Sequence, residues 1–216
     1  GRDTRTRSVI GPATRNAQAS GIRTAKVFGT TSQPSRINRN VPASVSPMCS
    51  PFTSRLIQSA SATSAEFANV LPSTQYTKSM WLRLNSYSYN NNVVSSFAGG
   101  HFTFGSGTNH FYSGHQDWAN YNAFPTVATF DLGQWYYIAV TFEAYVSMKT
   151  YVNGVFDASS SYNLNPHPGD GSTDIASYDH GNLLSGSIGE FFCYNRSLLD
   201  WEVLQNFNAS RGRYGV

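Results

Sequence analysis

The sequence is poor in charge, in thiols and, over its leading quarter, in aromatic rings. Asp, Glu, Lys and Arg make up only 12% of the 216 residues, and the thiols are two, Cys49 and Cys193. Two cysteines permit one bridge, and nothing in their spacing suggests zinc or a redox dithiol. Cys193 lies in the apolar run EFFCY and reads as a small buried hydrophobe. A bridge to Cys49 requires the first and last strands of the domain to be neighbours. The longest apolar runs are a few residues, far short of a membrane span or a signal core, so a soluble chain with no membrane partner is expected. The chain begins at Gly1 and not at Met, which implies removal of an upstream piece or the start of a stretch within a larger chain.

Aromatic residues are missing where positive charge gathers. Phe28 is the one aromatic residue through Pro51, against thirty in the remainder. Residues 1–47 hold Arg2, Arg5, Arg7, Arg15, Arg23, Lys26, Arg36 and Arg39 against Asp3 alone, a charge of +7, which leaves about −4 for the rest of a chain whose total is +3. A segment so short of large apolar side chains cannot close a core of its own. Three readings compete for residues 1–51: a disordered solubilising tail, a nucleic-acid tail, and an extended arm laid on a neighbouring subunit. The basic residues stand singly among Thr, Ser, Ala and Pro, with no aromatic rings between them for base stacking, which argues against nucleic acid. As an arm, its contacts to an acidic partner surface fall to Arg5, Arg7, Arg15, Arg23, Arg36 and Arg39, with backbone groups satisfied by strand addition.

From Phe52 onward, short runs rich in Val, Ile, Thr, Tyr and Phe alternate with Gly, Asn, Ser and Asp at spacings near ten residues, the punctuation of an all-β domain. KSMWLRLNS puts Met80, Leu82 and Leu84 on one face and Trp81 and Arg83 on the other. Between Gln134 and Phe142 both parities are apolar, so this strand is expected to be central and covered on both sides. EAYVS links it to MKTYVNG, where Asn153-Gly154 supplies the positive φ of a tight reversal. NNNVVSSF, HFTFGSG and NHFYSGH read as further short strands, and SGSIGEFFCYN as the last. NPHPGDGSTD reads as a long polar loop. A single helix follows, capped by Asp200 or Ser197, with Val203, Leu204 and Phe207 as its apolar stripe and Gly212 as its stop. One terminal helix against many strands predicts a two-sheet antiparallel sandwich over residues 52–216.

GQWYYIAVTFEAYVSMKTYVNG followed by GSIGEFFCYNRSLLDWEVLQNFNASRGRYG resembles the laminin-G-like, or concanavalin A-like, jelly-roll domain. The motifs that carry the resemblance are a Trp-led strand, a Tyr-Val-Asn-Gly strand end, a Gly-Ser-Ile-Gly-Glu strand and an Asn-Arg-x-Leu turn into a helix, over residues 133–215, with a weaker match back to about Phe52. Leu199 stands where the family usually has Ser. Within the family the closing segment looks most like domains in structural proteins of tailed phages. The resemblance implies a jelly roll and, from those relatives, a non-enzymatic virion structural protein, a capsid decoration or tail component on the virion or an extracellular surface, whose partners are other virion proteins and copies of itself.

Concanavalin A-like folds also include glycanases with paired carboxylates at alternate positions of one strand. No Glu-x-Asp-x-x-Glu or comparable run exists here, Glu190 stands alone in its strand, and Glu143 falls at a strand end. A Gly-x-Ser-x-Gly elbow needs a strand-to-helix turn, whereas GSGTNH and LSGSIG lie between strands. No enzyme is expected. Binding candidates remain. Trp118 and Tyr121 in a polar loop can stack on a sugar ring beside Asp117 and Asn120 as hydroxyl partners, the basis of an alternative reading as a lectin-like module for host glycan; both rings can equally anchor that loop. His101, His110 and His115 fall within fifteen residues but match no closed zinc spacing. Asp170, Asp174 and Asp179 offer oxygens for calcium, without the spacing of an EF-hand, and serve as readily to make turns. Asn195-Arg-Ser and Asn208-Ala-Ser match glycosylation acceptors, patterns that also arise by chance.

Overall fold

The computed structural model describes residues 57–58, 65–68, 74–88, 91–96, 102–105, 107–116, 121–161, 172–178 and 181–216, and the basic arm with Arg5, Arg7, Arg15, Arg23, Arg36 and Arg39 lies outside them. In chain order the strands are β1 (Ile57–Gln58), β2 (Ala65–Ala68), β3 (Gln75–Leu84), β4 (Asn91–Ser95), β5 (Phe102–Gly105), β6 (Phe111–Gln116), β7 (Tyr121–Pro125), β8 (Trp135–Glu143), β9 (Ser147–Val152), β10 (Val155–Ser160), β11 (Ser172–Ile175) and β12 (Gly186–Tyr194). Among the described residues they form two six-stranded antiparallel sheets, in the orders β1-β12-β3-β8-β9-β10 and β2-β11-β4-β5-β6-β7.

The long strands explain the architecture. In β3 the side chains of Met80, Leu82 and Leu84 enter the core between the sheets, while Trp81 enters a second core on the outer face of the first sheet. Strand β8 does the same, with Ile138, Val140 and Phe142 inward and Tyr137 and Ala139 outward. Register locks the two strands together, Met80 opposite Ile138 and Trp81 opposite Tyr137. Both parities are apolar because both faces are covered.

The outer core is roofed by α1 (Asp200–Ser210), whose Val203 and Phe207 are buried against Trp81, Tyr137 and Tyr151. Each such side chain contributes roughly 1.5–3 kcal/mol by leaving water. Trp81 donates its indole N–H to Ser210 Oγ at 2.9 Å, and its ring stacks on Tyr214 with centroids 4.3 Å apart. Tyr214 in turn lies where a side chain at position 189 would sit, which only Gly189 allows.

The helix start differs from expectation. Neither Ser197 nor Asp200 caps it: the N-cap position is Leu199, which has no side-chain acceptor. Glu202, three residues on, accepts the Leu199 N–H at 2.9 Å and is gripped by Arg196 at 2.7 and 2.5 Å. That guanidinium, through its hydrogen bonds, holds the Glu202 carboxyl below the usual carboxylate range. Asp200 is drawn instead to the Tyr151 hydroxyl at 2.7 Å.

Two strands were hidden in segments that read as loops. Tyr121 opens edge strand β7, paired with Gln116, and Asp174 lies within β11, in register with Ser95 on one side and Glu66 on the other. The sequences YNAFP and STDI are short and lack an unbroken apolar alternation, so backbone pairing, and not side-chain pattern, makes them strands. Cys193 is buried in β12 as expected, and Cys49 is outside the described residues, as is any bridge to it.

Candidate functional site

The sandwich has two unlike ends. At the bottom, strand β9 turns into β10 through Asn153 and Gly154, with φ of 51° and 79°. The Asn153 side chain accepts the Tyr137 N–H at 2.9 Å, and its own N–H donates to the Tyr137 carbonyl at 2.8 Å. Phe111, Phe130 and Tyr136 plug the space between the sheets edge to face, with centroids 4.8 and 4.7 Å apart.

At the top stand the pairs Ser95 with Phe102, Gln116 with Tyr121, Gln75 with Glu143 and Met148 with Ser160. The His115 and Phe142 rings meet across the sandwich at 4.6 Å, which aligns these pairs in the two sheets. The strand ends that flank residues 97–101 (with His101), 117–120 (with Asp117, Trp118 and Asn120) and 162–171 (with Asp170) therefore all belong to one end of the molecule. Those segments, and Asp179, are outside the described residues, as is the side chain of Tyr121.

Under this end lies Lys78, fully buried, on the same parity of β3 as Met80 and Leu82. Its ammonium nitrogen is 5.9 Å from the Tyr76 ring centroid and has no hydrogen-bond acceptor among the described residues. Burial pulls the Lys78 amine down to about 7 and pushes the Tyr76 phenol up. Alternation alone could have located this lysine, since KSMWL puts it two residues from Met80 on the core face.

The two described histidines of the three, His110 and His115, are not brought together. His110 precedes β6 at the bottom, with Nδ1 3.0 Å from the Thr126 carbonyl, whereas His115 is buried at the top. They are five positions apart along extended chain, about 16 Å. Asp174 is buried in its strand and not displayed on a loop. Among the described residues no group of three or more His, Cys, Asp or Glu is placed to hold a metal ion.

The described carboxylates with partners serve the scaffold. Glu190 pairs with Arg213, Glu202 with Arg196, and Asp157 accepts the Val127 and Ala128 N–H groups at 2.9 and 2.8 Å, tying the strand β10 edge to the segment after β7. At the top a shallow depression is lined by Gly114, Asn122, Phe124, Met148 and Ser160 and has no enclosed room for even a water molecule, so a ligand here would be held on the rim.

One rim residue escaped the sequence reading. The β8–β9 turn closes with the Val146 N–H donating to the Glu143 carbonyl at 3.1 Å, and Tyr145 within it has φ of 62°. Its side chain is 72% exposed and that of Val146 58%. The available signal was a bulky ring in a tight reversal where Gly or Asn is usual.

A family model described as "Concanavalin A-like lectin/glucanases superfamily" matches residues 58–204, more than half of the chain. No curated protein matches the sequence. Among solved structures, the chain is similar to the botulinum neurotoxin serotype D ligand binding domain in complex with N-acetylneuraminic acid (15% identity, 68% of this chain, 40% of that one, TM-score 0.56). It is similar also to the binding domain of Paraclostridial Mosquitocidal Protein 1 (18% identity, 67% and 38%, TM-score 0.54). A third is the receptor binding domain of the botulinum neurotoxin C/D mosaic serotype (16% identity, 63% and 36%, TM-score 0.53). The chain thus spans about two fifths of the length of these structures, and at such identities the likeness is one of fold.

Proposed function

The chain belongs to the concanavalin A-like lectin/glucanases superfamily, and on that premise we propose that it is a non-enzymatic, lectin-like recognition domain that binds surface glycan at the top of its sandwich. The observation that carries this reading is the convergence there of the strand ends that flank the Asp117–Asn120 and 162–171 segments, above an interior too closely packed to enclose a substrate. Trp118 and Tyr121 supply ring faces for stacking on the C–H face of a sugar, and Asp117 and Asn120 supply hydroxyl partners. A chain of like fold named as a complex with N-acetylneuraminic acid supports a sugar ligand. The virion role rests on the resemblance of the closing segment alone, and the clamping arm on the composition of residues 1–51; both take second place to this reading.

The test is an oligosaccharide array probed with the full chain and with Trp118→Ala. Selective retention of the wild type, weakened at least about tenfold by the substitution, a difference of ~1.4 kcal/mol, is the expected result. A wild type that retains no sugar, or two proteins that bind alike, overturns it.

A further inference from the structure

We propose that Tyr145, at the tip of the β8–β9 hairpin, is a stacking platform for a neutral sugar ring, an inference that rests on the glycan-recognition reading above and assigns it a contact residue. A tyrosine with φ of 62° stands in the left-handed region that bulky side chains avoid. The turn does not need its ring. Ala144 packs against the core and donates its N–H to the Thr74 carbonyl at 2.8 Å, and the Val146 N–H closes the turn on Glu143. The Tyr145 ring makes no hydrogen bond or ring contact with any described residue and is 72% exposed. This residue works against the fold at a position where Asn or Gly would serve it better, and backbone strain of that kind is found where a side chain is kept for something else.

Three observations select the ligand. Two adjacent exposed side chains, Tyr145 and Val146, offer the footprint of one or two sugar rings, far less than the roughly 800 Å² per partner of a stable protein interface. Within the turn, residues 143–147, the one charged residue is Glu143, which is exposed. A carboxylate accepts hydrogen bonds from sugar hydroxyls but repels an acidic sugar or an anionic membrane surface. Finally, the tip is on the same end of the sandwich as Gln116 and Tyr121, the strand ends of the proposed glycan site.

The experiment compares full-length wild type with Tyr145→Asn and Tyr145→Phe on an array of neutral and sialylated oligosaccharides and on vesicles of phosphatidylcholine with phosphatidylserine. Asn suits the left-handed turn, so Tyr145→Asn is expected to raise Tm by about 2–4 °C while weakening retention on neutral sugars at least about tenfold. Tyr145→Phe, which keeps the ring, retains binding. If the wild type holds no sugar at all, the glycan reading falls and this inference with it. If it holds sugars that Tyr145→Asn holds equally, or prefers the sialylated ones, the inference alone is wrong. Vesicle binding lost in Tyr145→Asn, with sugar binding unchanged, also overturns it.

Discussion

The bottom and the top of the sandwich are made of the same strands yet follow opposite rules. At the bottom, Asn153 and Gly154 occupy positive φ with the residues that tolerate it, and phenyl rings fill the gap between sheets. At the top, a tyrosine holds a positive φ in the turn and a lysine lies under the rim without an acceptor among the described residues. The contrast separates positions chosen for stability from positions that work against it. In a fold of only marginal net stability, the second kind needs a reason outside folding.

The largest effect that would break this comparison concerns Lys78. Its folded value, about 7, lies below the ordinary lysine value of 10.5. Between those two values the unfolded chain holds a proton that the folded one has released, so stability rises with pH by up to about 1.4 kcal/mol per pH unit. From pH 7 to pH 10 that amounts to about 3.5 kcal/mol in urea unfolding, lost again on acidification. Lys78→Met, similar in volume and uncharged, should flatten this part of the profile and be the more stable protein at pH 7. A wild-type profile already flat over that interval would show that Lys78 has a partner.

Next in size is Gly154→Ala at the well-formed end. A Cβ there would lie 3.0 Å from Phe207 Cβ and 3.1 Å from Leu204 Cδ1, at φ of 79°. Steric crowding and the left-handed backbone act together, and a loss of about 2–3 kcal/mol is expected by denaturant titration. The mirror experiment is the smallest: Tyr145→Asn, in the turn at the other end of strand β9, should gain about 1 kcal/mol, the magnitude behind its expected shift in Tm. Opposite signs at the two turns would sharpen the comparison, and equal signs would end it.

Much of the fold was legible because β3 and β8 carry apolar patterns long enough to fix which side chains face which core. Met80 and Trp81 on opposite faces, the doubly covered β8 and the Asn153-Gly154 reversal follow from period and turn chemistry alone. Strands β7 and β11 were not legible, since YNAFP and STDI are held by their neighbours' backbones and not by side-chain pattern, which moved Tyr121 and Asp174 out of their expected loops. The helix cap failed for a different reason: a rule that looks for Ser or Asp cannot see an Arg196–Glu202 pair reaching back to Leu199. As for the candidate site, the ring-bearing and acidic residues near 117–121 were put forward by residue type, and residues 117–120 lie outside the described residues. Tyr145 went unnoticed because it was treated as part of a linker, although its size in so short a reversal was in plain view.

Strand β8 runs without a break from the Asn153 clamp to the tip that carries Tyr145, and β9 returns along it in continuous pairing. The backbone that carries the ring is therefore fixed when the chain folds. Whatever docks against it has only the ring's own side-chain rotations left to order.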